Sequence, residues 1–123
     1  MPPRRRVDPA EGRAALDRVL ATVDAGPEPE RTDLRAAVRF LLEELAARSP
    51  GRSLEVRVPP YAAVQCVEGP RHTRGTPPGV VETDPVTWIM LATGRTAWAD
   101  AVAGGRVHAS GERADLSAHL PVT

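Results

Sequence analysis

The chain has 123 residues, and its 16 basic and 16 acidic residues give a formal net charge of zero. This length fits one domain with one core. A zero net charge creates no global field that would attract nucleic acid or an anionic membrane. All the basic residues are arginine and asparagine is absent, which indicates compositional drift. A single arginine is therefore weak evidence for a phosphate site.

Cysteine usage and the N-terminus bear on the compartment. Cys66 is the only cysteine, which excludes an intramolecular disulfide and suits a reducing environment. No apolar run is long enough to cross a membrane. The arginines at 4–6 are followed by Asp8 and Pro9, where a signal peptide would continue with an apolar segment. We therefore expect a cytoplasmic protein with no stable membrane insertion.

Two helices are predicted in the first 50 residues. Residues 1–8 read as a flexible tail, and residues 9–123 read as a single domain. The first helix runs from Pro9 to about Asp24. Thr32 or Asp33 is expected to cap the second helix, which runs to Arg48 and carries the clearest apolar stripe in the chain. Its members are Leu34, Val38, Leu41, Leu42 and Leu45.

Three strand segments follow. Leu54, Val56 and Val58 alternate with charged residues, which predicts a strand with one wet face. A second strand is expected over residues 61–67, more fully covered on both faces than the first, and a short third strand over residues 80–82.

The C-terminal part has the most clearly marked boundaries. Asp84 is placed to cap a helix with Pro85 at its first position. Thr96 is expected to cap a second, short helix, residues 106–110 to form a strand, and Leu116 and Leu120 to lie on a final helix. Helices grouped at both ends of a few strands predict an α+β domain, a small sheet with helices on one face.

No catalytic or metal-binding signature is present. His72, His108 and His119 share no ligand spacing, and Cys66 has no CxxC partner, so we expect no metal and no cofactor. Cys66 falls on the apolar side of its strand, where a thiol usually packs as a small hydrophobe. A nucleophilic pair of Cys66 with a histidine stays open as the alternative.

The polar connection before the third strand offers a place for an anionic group. Arg71, His72 and Arg74 put two guanidinium groups and an imidazole within four residues. The alternative is an exposed loop stiffened by proline.

The helix around Trp88 is apolar on all sides and must be covered everywhere. The rest of the core, a second subunit or a bound apolar ligand are the three options for its extra face. Trp98 lies ten residues further on and is expected to meet Trp88 across the turn at Gly94.

The C-terminal residues resemble the sterol carrier protein type 2 family. The likeness rests on Gly94-Arg95, Trp98, Asp100-Ala101, the run Gly105-Arg106-Val107 and Gly111-Glu112. The segment VRVPPYAAVQCVEGPRHTRGTPPGVVETDP is similar to the short bacterial branch of that family. The resemblance covers roughly residues 30–120.

The resemblance implies an antiparallel-dominated sheet with helices on one face and an apolar tunnel between the two layers. It implies a non-enzymatic carrier of a sterol, fatty acid or acyl-CoA. The chain lacks the glycine-rich segment by which larger members widen the tunnel, which implies a smaller or closed pocket. A bacterial context makes sterol itself an unexpected natural ligand.

We therefore predict a cytoplasmic carrier of a lipid or other small apolar ligand. The residues expected to contact the hydrocarbon are Leu41, Leu45, Val56, Val64, Trp88, Leu91 and Trp98, with Arg71, His72 and Arg74 at the headgroup. The alternative is an interaction or oligomerisation module with a closed core, for which a homodimer is the simplest form. A third option is that the protein is an enzyme accessory or a small acyl-transfer enzyme, with Cys66 or His72 as the reactive residue.

Overall fold

A computed structural model describes residues 6–69, 79–111 and 114–123 of the chain. Its helices are α1 (Pro9–Ala25), α2 (Arg31–Arg48), α3 (Pro85–Ala92) and α4 (Trp98–Ala103). Its strands are β1 (Leu54–Val58), β2 (Ala62–Cys66), β3 (Gly79–Thr83) and β4 (Val107–Gly111). A short 3₁₀ turn, Ser117–His119, follows near the C-terminus.

Aspartate followed by proline begins two of the helices. The Asp8 carboxylate accepts a hydrogen bond from the Glu11 N–H at 3.2 Å, and the Asp84 carboxylate accepts one from the Thr87 N–H at 3.0 Å. Both interactions satisfy an N–H group that has no partner inside the helix. The predicted cap at Asp84 is confirmed.

The other two predicted caps are wrong. Helix α2 begins at Arg31, one residue before Thr32, and Asp33 instead pairs with Arg18 of α1. Helix α4 is preceded by Ala97 rather than Thr96 and has no side-chain cap. Both helices begin without a side-chain cap, so the presence of a residue type that often caps helices did not identify their first residue.

The four strands form one mixed sheet in the order β2-β1-β3-β4. Strand β1 is antiparallel to β2 and parallel to β3, and β4 is antiparallel to β3. Antiparallel pairing therefore dominates, and the predicted α+β class is confirmed. Parallel strands need a long connection. Between β1 and β3 the chain passes through β2 and the residues that follow it.

The alternation in β1 places its two faces as predicted. Leu54, Val56 and Val58 are buried, whereas Arg57 is exposed and forms an ion pair with Glu55 on the outer face. The register aligns this face across the sheet, because Val56 lies opposite the partly buried Val64 of β2 and the buried Val81 of β3.

Strand β2 is less covered than β1, so the prediction that it is the more buried of the two is wrong. Only Cys66 of its five residues is buried. The reason is its position, since β2 is an edge strand with a single neighbour while β1 lies between two strands.

Helix α1 packs against α2 through a close approach at Gly12. A Cβ atom at this position would lie 2.5 Å from Cγ of Phe40, which is too short for a real contact. Leu16 and Val19 continue the buried face of α1, and the Arg13 guanidinium lies 5.6 Å from the centroid of the Phe40 ring.

The C-terminal segment, residues 114–123, has no regular secondary structure beyond a single 3₁₀ turn, so the predicted final helix is wrong apart from that turn. Leu116 and Val122 are buried, and the Val122 N–H donates to the Ala92 carbonyl at 2.9 Å. Pro121 accounts for the end of the segment, because proline has no N–H to donate and disfavours a helical conformation at Leu120, which is extended.

Two further contacts hold this segment to the helices. Ser49 Oγ, at the end of α2, lies 2.8 Å from Nδ1 of His119, and Arg13 of α1 donates to the Thr123 hydroxyl at 3.1 Å. The segment is therefore held at His119 and at its C-terminal end.

Candidate functional site

The interior between the helices and the sheet is filled where the apolar tunnel was predicted. Leu41, Leu45, Val56 and Trp88 each have 0% of their surface exposed. They belong to one cluster of buried side chains, and the Trp88 indole N–H donates to the Val38 carbonyl at 3.4 Å. These four predicted ligand residues form core packing in this conformation.

Helix α3 is covered by its own chain. Trp88, Ile89, Leu91 and Ala92 are all at most 1% exposed. Part of the cover comes from the C-terminal segment, through the hydrogen bond from Val122 to Ala92. Pro85, Val86 and Met90 stay partly exposed, but the rest of the apolar surface of this helix is buried without a ligand or a second subunit.

Two predicted ligand residues, Leu91 and Trp98, lie together in a groove between the α3–α4 region and the C-terminal segment. We call it the C-terminal groove, and its volume is about 580 Å³. Trp98 is half-buried and packs against the main core. The described residues that line the groove are Leu91, Gly94, Thr96, Ala97, Trp98, Ala99, Asp115, Ser117, Leu120 and Pro121.

The polar side of the C-terminal groove is built around Asp115. Its Oδ1 atom accepts a hydrogen bond from the Ser117 N–H at 2.7 Å. Hydrogen bonds from the Ser117 side chain and backbone lower the pKa of Asp115, and the nearby His119 contributes in the same direction. The carboxylate is therefore ionised at neutral pH.

Val64 lies in a second, smaller groove at the edge of the sheet, beside α2. This edge groove has a volume of about 290 Å³. Arg39 crosses it and donates from Nε and Nη2 to the Tyr61 carbonyl, at 3.4 Å each. The described residues that line it are Arg6, Arg39, Leu42, Glu43, Ala46, Tyr61, Ala62, Ala63 and Val64.

The N-terminal end of the described chain is attached to this edge groove. The Glu43 carboxylate accepts hydrogen bonds from the N–H groups of Arg6 at 2.8 Å and Val7 at 3.1 Å. Val7 is half-buried and packs against the core. Residues 1–5 of the predicted tail lie outside the described residues.

The structure thus brings together only part of the predicted site. Leu91 and Trp98 share the C-terminal groove, and Val64 lies in the edge groove. The headgroup residues Arg71, His72 and Arg74 lie outside the described residues, so their role stays a prediction.

Leu120, Pro121 and Asp115 were missed as groove residues. Leu120 was assigned to a helix, and the irregular segment that carries it has no periodicity to reveal which side chains turn inward. The one available signal was Pro121, which ends any helix before the chain terminus.

The groups considered for catalysis are not arranged as a reactive centre in the part of the chain that the structure describes. Burial raises the pKa of the Cys66 thiol to about 12, which keeps it protonated and a poor nucleophile. His119 is engaged with Ser49, whereas His108 is exposed on β4. Within residues 6–69, 79–111 and 114–123, no three His, Cys, Asp or Glu side chains are grouped to hold a metal ion.

These observations define a small α+β domain whose sheet is covered by helices on one face and whose C-terminal segment borders an apolar groove. The chain belongs to a bacterial sterol carrier protein-like family, since the family model described as bacterial SCP ortholog matches residues 30–122. The resemblance of residues 30–120 to this family is therefore confirmed. No curated protein matches the chain.

The family suggests a lipid-carrier domain. Helix α1 lies before the matched range. No helix among the described residues combines the length and the apolar character that a membrane span requires.

Proposed function

We propose that the protein is a non-enzymatic carrier that binds a lipid or other small apolar ligand in the C-terminal groove. The observation that carries this proposal is the position of Trp98, a half-buried aromatic side chain on the wall of a mostly apolar groove. Membership of the family supports the class of ligand.

Binding would come mainly from burial of hydrocarbon. Each Å² of apolar surface removed from water contributes about 25 cal/mol. Leu91, Trp98 and Leu120 supply that surface. Trp98 also packs against the buried cluster that includes Trp88, which holds its side chain in place. A rigid wall reduces the entropy that is lost on binding.

The two tryptophans allow a direct test by NMR. Their indole N–H signals can be assigned with a Trp98→Phe variant and followed while dodecanol is added to the delipidated protein. We expect the Trp98 signal to shift and saturate while the Trp88 signal stays, because Trp88 is fully buried and bonded to Val38. Native mass spectrometry should show a complex of the same stoichiometry.

Two variants sharpen this test. Trp98→Ala should weaken dodecanol binding about tenfold, since it removes a large apolar contact. Val102→Ala is the matched control, because Val102 lies on the same helix and is 42% exposed outside the groove. A Trp88 shift without a Trp98 shift, or no bound mass at all, would contradict binding in this groove.

A second candidate function is an interaction module with a closed core. The filled interior around Leu41 and Trp88 favours it. Because α3 is covered, such a module would need a surface other than that helix. Light scattering over a range of protein concentrations separates the two candidates, since a homodimer dissociates on dilution whereas a monomeric carrier keeps its mass.

We also propose a cytoplasmic location and no nucleic-acid partner. The single thiol and the zero net charge support these two statements. The accessory role in acyl transfer is now best tested at His72, because the thiol of Cys66 is buried and protonated.

A further inference from the structure

The charge in the C-terminal groove points to a particular kind of polar end on the ligand. Of the described residues that line this groove, Asp115 alone carries a charge. The remaining polar side chains of the described lining are Thr96 and Ser117, whose hydroxyls can donate and accept a hydrogen bond, and Trp98, whose indole N–H can only donate. The described lining therefore presents one anion, two hydroxyls and one indole donor.

Asp115 is held in its ionised form by its own turn. The Ser117 N–H donates to Oδ1 at 2.7 Å, and hydrogen bonding to a carboxylate favours the charged form. Asp115 is exposed and lines the groove, so its carboxylate is accessible to the polar end of a bound ligand.

The edge groove has the opposite character. It is lined by the guanidinium groups of Arg6 and Arg39, and its one carboxylate, Glu43, is already bonded to the N–H groups of Arg6 and Val7. A ligand with an anionic end would thus find a better electrostatic partner at the edge groove than at the C-terminal groove.

We propose that the C-terminal groove selects apolar ligands whose polar end is a hydrogen-bond donor or a cation, such as a long-chain alcohol or amine, over ligands that end in a carboxylate or phosphate. This inference rests on the proposed function, since it concerns the ligand class of the same site. The inference favours neutral or cationic amphiphiles over the fatty acid and acyl-CoA that the sequence analysis named as ligands.

The expected selectivity is modest because Asp115 is exposed to water. A unit charge about 7 Å from the carboxylate in a water-like dielectric changes affinity about threefold. An amine and a carboxylate with the same chain differ by two unit charges, so their affinities should differ about tenfold. Added salt should reduce that ratio.

The test compares dodecylamine, dodecanol and dodecanoate at low ionic strength, with the Trp98 indole signal as the readout. Each probe is kept below its micelle concentration. Dodecylamine should bind most tightly, dodecanol next and dodecanoate least. The same three titrations are then repeated at high salt, where the amine-to-carboxylate ratio should approach one.

Three variants assign the effect to Asp115. Asp115→Asn keeps an acceptor for the Ser117 N–H and removes the charge, so the ratio should fall close to one. Asp115→Glu keeps the charge and should retain the preference for the amine. Asp17→Asn changes the net charge equally at an exposed position on α1, outside the residues that line the groove, and should leave the ratio unchanged.

The outcomes separate this inference from the proposed function. If none of the three probes moves the Trp98 signal, the carrier function in this groove fails and the inference fails with it. If all three bind but dodecanoate binds as tightly as dodecylamine, only the inference fails. A tenfold ratio that survives both high salt and Asp115→Asn also overturns the inference. If Asp115→Asn does not fold, the salt titration of the unmodified protein decides alone.

Discussion

The indole N–H of Trp88 donates to the backbone carbonyl of Val38 at 3.4 Å, which joins α3 to the middle of α2 inside the core. This bond satisfies the single polar atom of a side chain that is completely removed from water. In this conformation Trp88 packs in the core and lines no open space. We therefore propose the groove beside Trp98 as the ligand site.

Trp88→Ala should lower the free energy of unfolding by about 3–5 kcal/mol, because it leaves a cavity among close-packed side chains. Urea unfolding followed by far-UV circular dichroism measures the change. Trp98→Ala is the comparison, since Trp98 is only half-buried and its removal should cost clearly less. Equal losses for the two variants would contradict the closed interior. Trp88→Phe serves if the alanine variant does not fold.

Gly12→Ala should also destabilise the protein, although alanine favours helices by about 1 kcal/mol over glycine. The added Cβ atom would lie 2.5 Å from Cγ of Phe40, so the two helices must move apart. We expect a net loss of about 1–3 kcal/mol in the free energy of unfolding.

The control for this prediction is a double-mutant cycle. Phe40→Leu alone removes ring contacts and should destabilise, but in the Phe40→Leu background Gly12→Ala should cost little or stabilise. If Gly12→Ala costs as much with leucine at position 40 as with phenylalanine, the close approach of α1 to α2 is not the cause.

Sequence patterns predicted those parts of the fold that rest on local rules. The pair Asp84–Pro85 marked a real helix start, the first helix begins at Pro9 as predicted, and alternation in Leu54–Val58 identified the buried face of β1. Thr96 failed as a cap because a capping residue type is necessary for a side-chain cap but not sufficient for one. Such errors are confined to one or two residues.

The candidate site was less predictable, for a different reason. Periodicity identified Leu41 and Leu45 as inward-facing, yet it says nothing about whether the space they face is empty or filled by Trp88. The filling depends on contacts between residues far apart in the chain. Leu120 shows a second difficulty. The segment that carries it is irregular and has no repeating pattern from which its inward-facing side chains could be predicted.

Cys66 should resist alkylation in the folded protein. Its surface is 0% exposed, and burial raises the pKa of its thiol from 9.0 to about 12. Iodoacetamide at mildly alkaline pH should therefore add mass only after denaturant is present, because both access and the thiolate form require unfolding. Rapid modification of the native protein would reopen the nucleophilic role of Cys66.

The same thiol gives a pH dependence with a defined sign. Because the pKa is raised in the folded state, the contribution of the neutral thiol to stability is complete below the ordinary value of 9.0 and is lost as the pH rises toward 12. Unfolding free energies measured from pH 8 upward should fall less steeply for Cys66→Ala than for the unmodified chain. Parallel curves would contradict the assignment.

Glu43 should control how firmly the N-terminal residues are attached beside the edge groove. Its carboxylate accepts the N–H groups of both Arg6 and Val7, so a protease must first break these bonds to reach the peptide between them. Glu43→Ala removes both bonds and should speed tryptic cleavage after Arg6 about tenfold, in line with the loss of one or two charge-assisted hydrogen bonds near the surface.

Glu28→Ala, at an exposed position between α1 and α2, is the matched control and should leave the rate unchanged. Mass spectrometry distinguishes the product cut after Arg6 from products cut at neighbouring arginines. An equal rate in the unmodified protein and Glu43→Ala would mean that the packing of Val7 against the core, rather than the Glu43 carboxylate, holds this segment in place.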